Sequence, residues 1–187
     1  MIRNTYPKDV MLKDGTEVTL TLVNKDNRDR LISFYASLSE TDRWFLTEDT
    51  LDPQVIDSWL ENQEKGNSFC IVATFDEVVV AHACLLMRRY GGRNRIGRLR
   101  VMVSRDFRGR RLGTWMIFDL TRRAMELGLE KLRADFVVGI DDPAIEAVKK
   151  MDFFRQGLLE NYLLDQKGKK YDYIIMTKNL HKDWSDF

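Results

Sequence analysis

A strand–helix–strand succession in the middle of the chain constrains the fold more than any other feature. Residues 95–103 have the pattern of a strand, residues 112–127 carry apolar side chains at helical spacing up to the stop signal Gly128, and residues 132–138 form a second strand. A helix that connects two strands of one sheet makes a crossover, which brings the strands together in parallel. The sequence therefore predicts at least one parallel strand pair covered by a helix.

The patterns on either side of this unit predict a mixed sheet. Strands are expected over 17–23, 69–74, 78–88, 155–165 and 170–177, and helices over 26–38, from Asp52-Pro53 onward and over 142–151. This order indicates an α/β fold of about seven strands and four helices, with helices covering the sheet. We expect one domain over 15–180, an N-terminal extension over 1–14 and a C-terminal tail over 181–187.

Composition excludes several classes of protein. The chain has 187 residues, of which 44% are hydrophobic and only 3 are proline, so it is neither disordered nor of low complexity. Its longest nearly apolar run, residues 78–87, is half the length that a membrane span needs. The first ten residues lack the apolar core of a signal peptide. We therefore expect a cytoplasmic protein without a membrane partner.

The two cysteines point the same way. Cys70 and Cys84 match no metal-ligand spacing, so no metal is expected, and so few cysteines are typical of a reducing compartment. If Phe75 pairs with Val78 across a hairpin, Cys70 faces Ala83 rather than Cys84. This register weakly opposes a disulfide.

Charge is divided between two adjacent blocks. The acidic block, residues 38–77, has ten acidic residues against Arg43 and Lys65, and the basic block, residues 88–111, has ten arginines against Asp106. Arginine is the side chain whose planar fork suits phosphate, and an acidic surface attracts amines. Solvated surface charge remains the alternative explanation for either block.

The basic block ends in a segment that can hold an anion. Residues 108–113, with the sequence RGRRLG, join a strand directly to a helix. Loop amides and the open N-terminus of the helix then point at one place, where the helix dipole favours negative charge. The segment matches neither the P-loop nor the dinucleotide fingerprint, and a tight loop without a ligand would also explain its glycines.

In context, this segment resembles the acyl-CoA loop of the GNAT superfamily of N-acetyltransferases. Val101-Met102-Val103 is similar to the family's strand end, and Arg108, Leu112 and Gly113 are similar to its loop, with Arg111 where a glycine is usual. Residues 142–153 resemble the family's helix ending in Gly-Phe, with Asp152 in place of glycine. The resemblance covers roughly residues 15–180. Residues 12–20 and 34–41 are similar to the acetyltransferase domain of bacterial protein-lysine acetyltransferases.

The resemblance implies acetyl-CoA as co-substrate and a sheet whose central strands splay apart. The loop amides would hold the pyrophosphate, the strand edge would bind the pantetheine arm, and an amide in that edge would polarise the thioester carbonyl. The implied cofactor-binding residues are Val101, Met102, Val103, Arg108, Gly109, Arg110, Arg111, Leu112, Gly113 and Thr114.

The catalytic groups of the family do not carry over. Its usual glutamate is missing, with Arg98 near the expected place, and Val148 stands where the tyrosine is expected. An amine acceptor needs a base, because only about one lysine in 2,500 is neutral at pH 7. We expect Asp135, Glu40 or Asp42 to substitute. The alternatives left open are His82 as base, Tyr162 or Tyr173 as acid, or a water chain.

These expectations converge on an N-acetyltransferase. The acidic block favours a lysine side chain or another basic amine as acceptor, including a protein lysine. A non-catalytic acyl-CoA sensor is the alternative suggested by the missing groups. An RNA- or ribosome-associated module would explain the arginines, but Tyr90 and Phe107 are few aromatic platforms for bases, so no nucleic-acid partner is expected. A homodimer is compatible with the sequence.

Overall fold

The structure is a computed structural model that describes residues 6–180. Its strands are β1 (Lys8–Met11), β2 (Glu17–Leu22), β3 (Ser68–Phe75), β4 (Val78–Leu86), β5 (Ile96–Val103), β6 (Lys131–Val137), β7 (Phe154–Leu164) and β8 (Lys170–Asn179). Its α-helices are α1 (Arg28–Ser37), α2 (Glu40–Trp44), α3 (Pro53–Glu64), α4 (Leu112–Glu126) and α5 (Asp142–Lys149).

All eight strands form one sheet, in the order β1-β2-β3-β4-β5-β6-β8-β7. Among the strands of residues 6–180, only β5 and β6 pair in parallel, across the crossover that α4 makes. The α/β class, the mixed sheet and this parallel pair are confirmed. Two short elements were not predicted: β1, which forms within the expected extension and pairs with β2, and the one-turn helix α2. The expected tail over 181–187 lies outside the described residues.

The parallel strands separate soon after they meet. β5 and β6 pair only over Ile96–Arg98 and Lys131–Arg133, so the rest of each strand faces a gap. Ser104 N donates to Val80 O at the other edge of β5, and alternation along the strand turns the Val101 backbone toward the gap. Peptide groups left open in this way need another partner. The splay implied by the resemblance is thus present.

Helices cover both faces of the sheet and create two apolar cores. α4 and α5 pack on one face around Leu112, Met116 and Val148. α1 and α3 pack on the other, where Tyr35 and Trp59 are buried. α3 begins as the sequence predicts, because the Asp52 carboxylate accepts from Gln54 N and Pro53 fits the first turn.

The predicted strand register around the cysteines is wrong beyond the hairpin end. Phe75 does pair with Val78, but a β-bulge leaves Val80 without a partner on β3 and moves every later pair by one residue. Cys70 therefore faces Cys84, and the two form a disulfide. The cysteines consequently no longer argue for a reducing compartment. Within residues 6–180, no helix has the length and apolar composition needed to cross a membrane.

Candidate active site

The gap between β5 and β6 opens into a cleft of about 540 Å³. Backbone forms one part of its wall, the loop end, which consists of Val101–Val103, Arg108, Gly109 and Arg111–Thr114. Paired charged side chains form another part, the ion-pair end. Its residues are Glu48, Arg98, Arg100, Asp135 and Tyr173. All ten residues that the sequence assigned to the loop and strand edge belong to the loop end except Arg110, which does not line the cleft.

The loop end presents free amides. Gly109 and Arg111 both adopt left-handed backbone, with φ of 72° and 69°, and this folds the loop back toward the start of α4. The first-turn amides of Leu112, Gly113 and Thr114 have no intrahelical acceptor. No side chain among residues 6–180 accepts from them either. These amides and the helix dipole have the geometry and charge that suit an anion.

The arginines of this loop have different roles. Arg108 Nε donates to Val103 O at 2.9 Å, and its guanidinium lies 2.9 Å from Asp42 Oδ1, so it braces the loop against α2. Arg110 turns outward to pair with Asp14 at 2.8 Å. The Arg111 side chain is exposed and makes no polar contact with residues 6–180. Arg111 is therefore the one of the three whose charge is not engaged within the fold.

Asp135 is the carboxylate that the ion-pair end surrounds most closely. Its side chain is 3% exposed, Oδ1 accepts from Arg133 Nε at 2.7 Å, and Oδ2 lies 3.1 Å from the Arg98 guanidinium. The Arg98 contact lacks hydrogen-bond geometry, so Oδ2 has no hydrogen-bond partner. Asp135 is thus placed in the cleft with one oxygen able to accept a proton or an N–H.

Tyr173 lies beside Asp135 on the neighbouring strand β8. Burial, with a further contribution from the Asp135 charge, raises the pKa of Tyr173 above its ordinary value of 10.0. Its hydroxyl therefore stays protonated at neutral pH and can donate. Tyr162, the other tyrosine candidate, stacks on Tyr173 at 5.8 Å between ring centres but is 61% exposed and does not line the cleft.

Arg100 and Glu48 form the second charge pair of the ion-pair end. The Arg100 guanidinium stacks on the Trp59 ring at 3.6 Å and lies 3.5 Å from Glu48 Oε2. That oxygen also accepts from Trp59 Nε1 at 2.8 Å. The sequence analysis did not select either residue, since they are 52 positions apart and belong to opposite charge blocks.

His82 is a core residue rather than a base. Its Nδ1 is hydrogen bonded to the Tyr35 hydroxyl at 2.9 Å, and its Nε2 lies 3.2 Å from Cys84 Sγ. Burial, reinforced by the Arg100 charge, lowers the pKa of His82 to about 3, so the ring is neutral. His82 does not line the cleft.

The other residues considered for catalysis differ in whether they line the cleft and in whether they can exchange a proton. Asp42 lines the cleft but is held by Arg108 and Ser39, whereas Glu40 accepts from Gln166 and does not line it. Val148, at the place of the family's tyrosine, lines the cleft as an apolar residue with no proton to give.

Asp141 is a cleft carboxylate that the sequence analysis missed. Burial raises its pKa, and its Oδ2 accepts from Val137 N at 2.8 Å at the end of β6. The only sequence signal, Asp141-Asp142-Pro143, is that of a helix start. Asp141 holds the turn into α5, and so fixes the wall of the cleft.

One group of side chains has the composition of a metal site. The ligand atoms of Cys70, His82 and Cys84 lie within 4.8 Å of one another and are buried. The two sulfurs are joined in the disulfide, and the Arg100 guanidinium lies 3.8 Å from Cys84 Sγ. A nearby guanidinium disfavours a cation. The group fits a metal poorly in this state.

Comparison with known proteins gives a consistent result. The model of the "Acetyltransferase (GNAT) family" matches residues 17–153. YwnH of Bacillus subtilis (strain 168), provisionally named a phosphinothricin acetyltransferase, is 21% identical over 87% of this chain and 99% of its own length.

Two solved structures show the same fold. A ribosomal-protein-alanine N-acetyltransferase from Brucella melitensis has a TM-score of 0.75 at 22% identity, covering 86% of this chain and 99% of its own. The Salmonella typhimurium protein yncA, provisionally named an acetyltransferase, was solved with its cofactor acetyl-CoA. It has a TM-score of 0.77 at 17% identity, and the match covers 89% of this chain and 95% of its own.

Proposed function

We propose that this chain, which belongs to the GNAT family of acetyltransferases, acetylates an amine in the cleft between β5 and β6, with Asp135 as the group that receives the amine's proton. Family membership makes the chain an acetyl-CoA-dependent N-acetyltransferase, and the alternative of a non-catalytic sensor is set aside. The observation that carries the proposal is a buried carboxylate with an open oxygen, placed across the gap from the free backbone of β5.

The loop end has the chemistry that the donor needs. Its free first-turn amides suit the pyrophosphate of acetyl-CoA, and the Val101 peptide group, turned into the gap, can bind the pantetheine arm or polarise the thioester carbonyl. Because the Arg108 charge is used in bracing the loop, the backbone supplies most of this binding. Arg111 adds one exposed cation at the mouth.

The ion-pair end can activate the acceptor. Amine nitrogen attacks the thioester carbon only as the neutral base, so a proton must leave before the C–N bond forms and the C–S bond breaks. Asp135 Oδ2 makes no hydrogen bond, although the Arg98 guanidinium lies 3.1 Å from it, and it can accept that proton. The Tyr173 hydroxyl, kept protonated by its raised pKa, is suited to give one to the departing thiolate.

The class of amine remains a prediction. The acidic block favours a lysine side chain or another basic amine, but Asp42 and Glu48 are its only acidic residues that line the cleft, and each contacts an arginine. The cleft therefore holds guanidiniums beside its carboxylates, and its charge does not by itself select a cation. A cytoplasmic location and a homodimer also stay predictions.

Thiol release from acetyl-CoA, measured with a broad panel of amines, tests the proposal. With a working acceptor, Asp135→Asn is expected to lower kcat by about 10²–10⁴-fold, the usual contribution of a general base. Glu40→Gln is the matched control, since its carboxylate lies outside the cleft, and it should retain full activity. Full activity in Asp135→Asn would overturn the role given to this carboxylate.

A further inference from the structure

A second pocket adjoins the ion-pair end of the cleft. It has a volume of about 570 Å³ and shares Glu48, Leu86 and Arg100 with the cleft. We call it the side pocket, and the residues that characterise it are Ser68, Arg88, Arg89 and Arg100. Because the two spaces share lining residues, an acceptor bound in the cleft can extend into the side pocket.

The side pocket has an excess of positive charge. Three arginines line it, Arg88, Arg89 and Arg100, against the single acidic residue Glu48. The Arg89 guanidinium donates to Lys65 O. Arg88 is exposed and makes no polar contact with any residue from 6 to 180. Glu48 compensates Arg100 only partly, because the pair is 3.5 Å apart and Glu48 is also bonded to Trp59.

Two buried polar atoms of this pocket have no partner. Ser68 is 5% exposed and its Oγ makes no hydrogen bond, and the same is true of Arg100 Nε. Buried polar atoms almost always make a hydrogen bond, so two such atoms without one in residues of the same pocket call for an explanation. Burial lowers the pKa of Arg100, because the charged guanidinium is less stable away from water. A bound oxyanion would supply what is missing.

We infer that the side pocket binds an anionic group of the acceptor, so that the substrate is an amine that also carries a carboxylate or a phosphorus oxyacid. The inference rests on the proposed function and narrows it. Guanidinium groups and a hydroxyl are the donors that recognise such oxyanions. A purely cationic acceptor would leave these donors unpaired and place its own charge beside them.

Matched acceptors test the inference. Acetyl transfer is measured for γ-aminobutyrate and 3-aminopropylphosphonate, which distinguish the two oxyanions, and for butylamine and putrescine, which carry none. We expect kcat/KM for at least one acid to exceed that of both amines by at least ~10-fold, the effect of a charge-assisted hydrogen bond. The preference should reside in KM, because the side pocket holds the substrate away from the reacting atoms.

Three variants assign the effect. Arg88→Gln and Ser68→Ala should each reduce the preference and leave the affinity for CoA unchanged. Arg93→Gln is the control, an exposed arginine of the same loop that does not line the pocket. Arg88→Gln changes an exposed side chain and Ser68→Ala removes a single oxygen, so both variants should fold. The test therefore does not require a variant of the buried Arg100.

A binding measurement separates this inference from the proposed function. The melting temperature of the CoA-bound protein is followed with γ-aminobutyrate and with butylamine, in wild type and in Arg88→Gln. A shift that needs both the acid and Arg88 supports the side pocket even if no amine is acetylated. Transfer to butylamine or putrescine as efficient as to the better of the two acids would overturn it, and so would a preference that survives in both variants.

Discussion

The two ends of the cleft are built by different means. The loop end consists of residues close in sequence whose backbone amides face the gap. The ion-pair end consists of side chains from the segment between α2 and α3 and from β5, β6 and β8, which meet only in the folded protein. Backbone groups tolerate many side chains, so a loop of this kind can serve one common donor across different proteins. Side-chain pairs change with every substitution, and such an end is suited to determine the acceptor.

This contrast predicts that one backbone position governs donor binding. Gly109→Asp places a carboxylate beside the site for the pyrophosphate, where like charges cost several kcal/mol. CoA affinity, measured by calorimetry, should therefore fall by more than about 10³-fold. Gly168→Asp, a glycine with a similar φ of 79° in the β7–β8 turn, is the matched control and should bind normally. Unchanged affinity in Gly109→Asp would remove the loop from the donor site.

At the ion-pair end, removal of the Tyr173 hydroxyl is expected to lower kcat and to have little effect on the binding of acetyl-CoA. Tyr173→Phe should lower kcat by about 10²-fold, since a general acid contributes at least this much, while KM for acetyl-CoA stays within twofold. Because its pKa is raised above 10.0, wild-type kcat should not decline from loss of this proton until the pH exceeds 10. Tyr162→Phe is the control, and an equal loss in it would contradict the assignment.

The core beneath the ion-pair end contains His82, whose burial makes the stability of the fold depend on pH. The unfolded chain protonates His82 below its ordinary pKa of 6.5, but the folded chain does so only near 3, so unfolding takes up a proton in between. Stability contributed by this group is complete above pH 6.5 and is lost as the pH falls toward 3. Between pH 7 and pH 5, wild type should lose about 2 kcal/mol more unfolding free energy than His82→Gln. Parallel denaturant curves for both proteins at the two pH values measure this, and equal losses would contradict it.

The smallest effect concerns Arg111. Its left-handed backbone costs about 1–2 kcal/mol for a non-glycine residue, so Arg111→Gly should fold at least as stably. If the exposed side chain makes one phosphate contact, CoA affinity should fall about 2–10-fold, the value of one exposed charge-assisted hydrogen bond. Calorimetry and thermal melting give both quantities. A large gain in affinity would show that this arginine obstructs the loop.

The same contrast explains how much could be predicted. The crossover, the mixed sheet and the loop end depend on consecutive residues, so their patterns are visible along the chain. The ion-pair end depends on strand register and on the segment after α2, which supplies Glu48. The single turn of α2 gives no periodic signal, so Glu40 and Asp42 could not be told apart. The bulge at Val80 has no sequence signature, and it reversed the prediction for Cys70.

The separation of the two ends is tested most directly by the affinity of Asp135→Asn for CoA. The account predicts a calorimetric dissociation constant within twofold of wild type in a protein whose turnover has fallen by about 10²-fold or more. Such a result would show that backbone at the loop end binds the donor without help from the charges of the ion-pair end. A loss of CoA affinity comparable to that of Gly109→Asp would show instead that the two ends are one site, and would contradict the account.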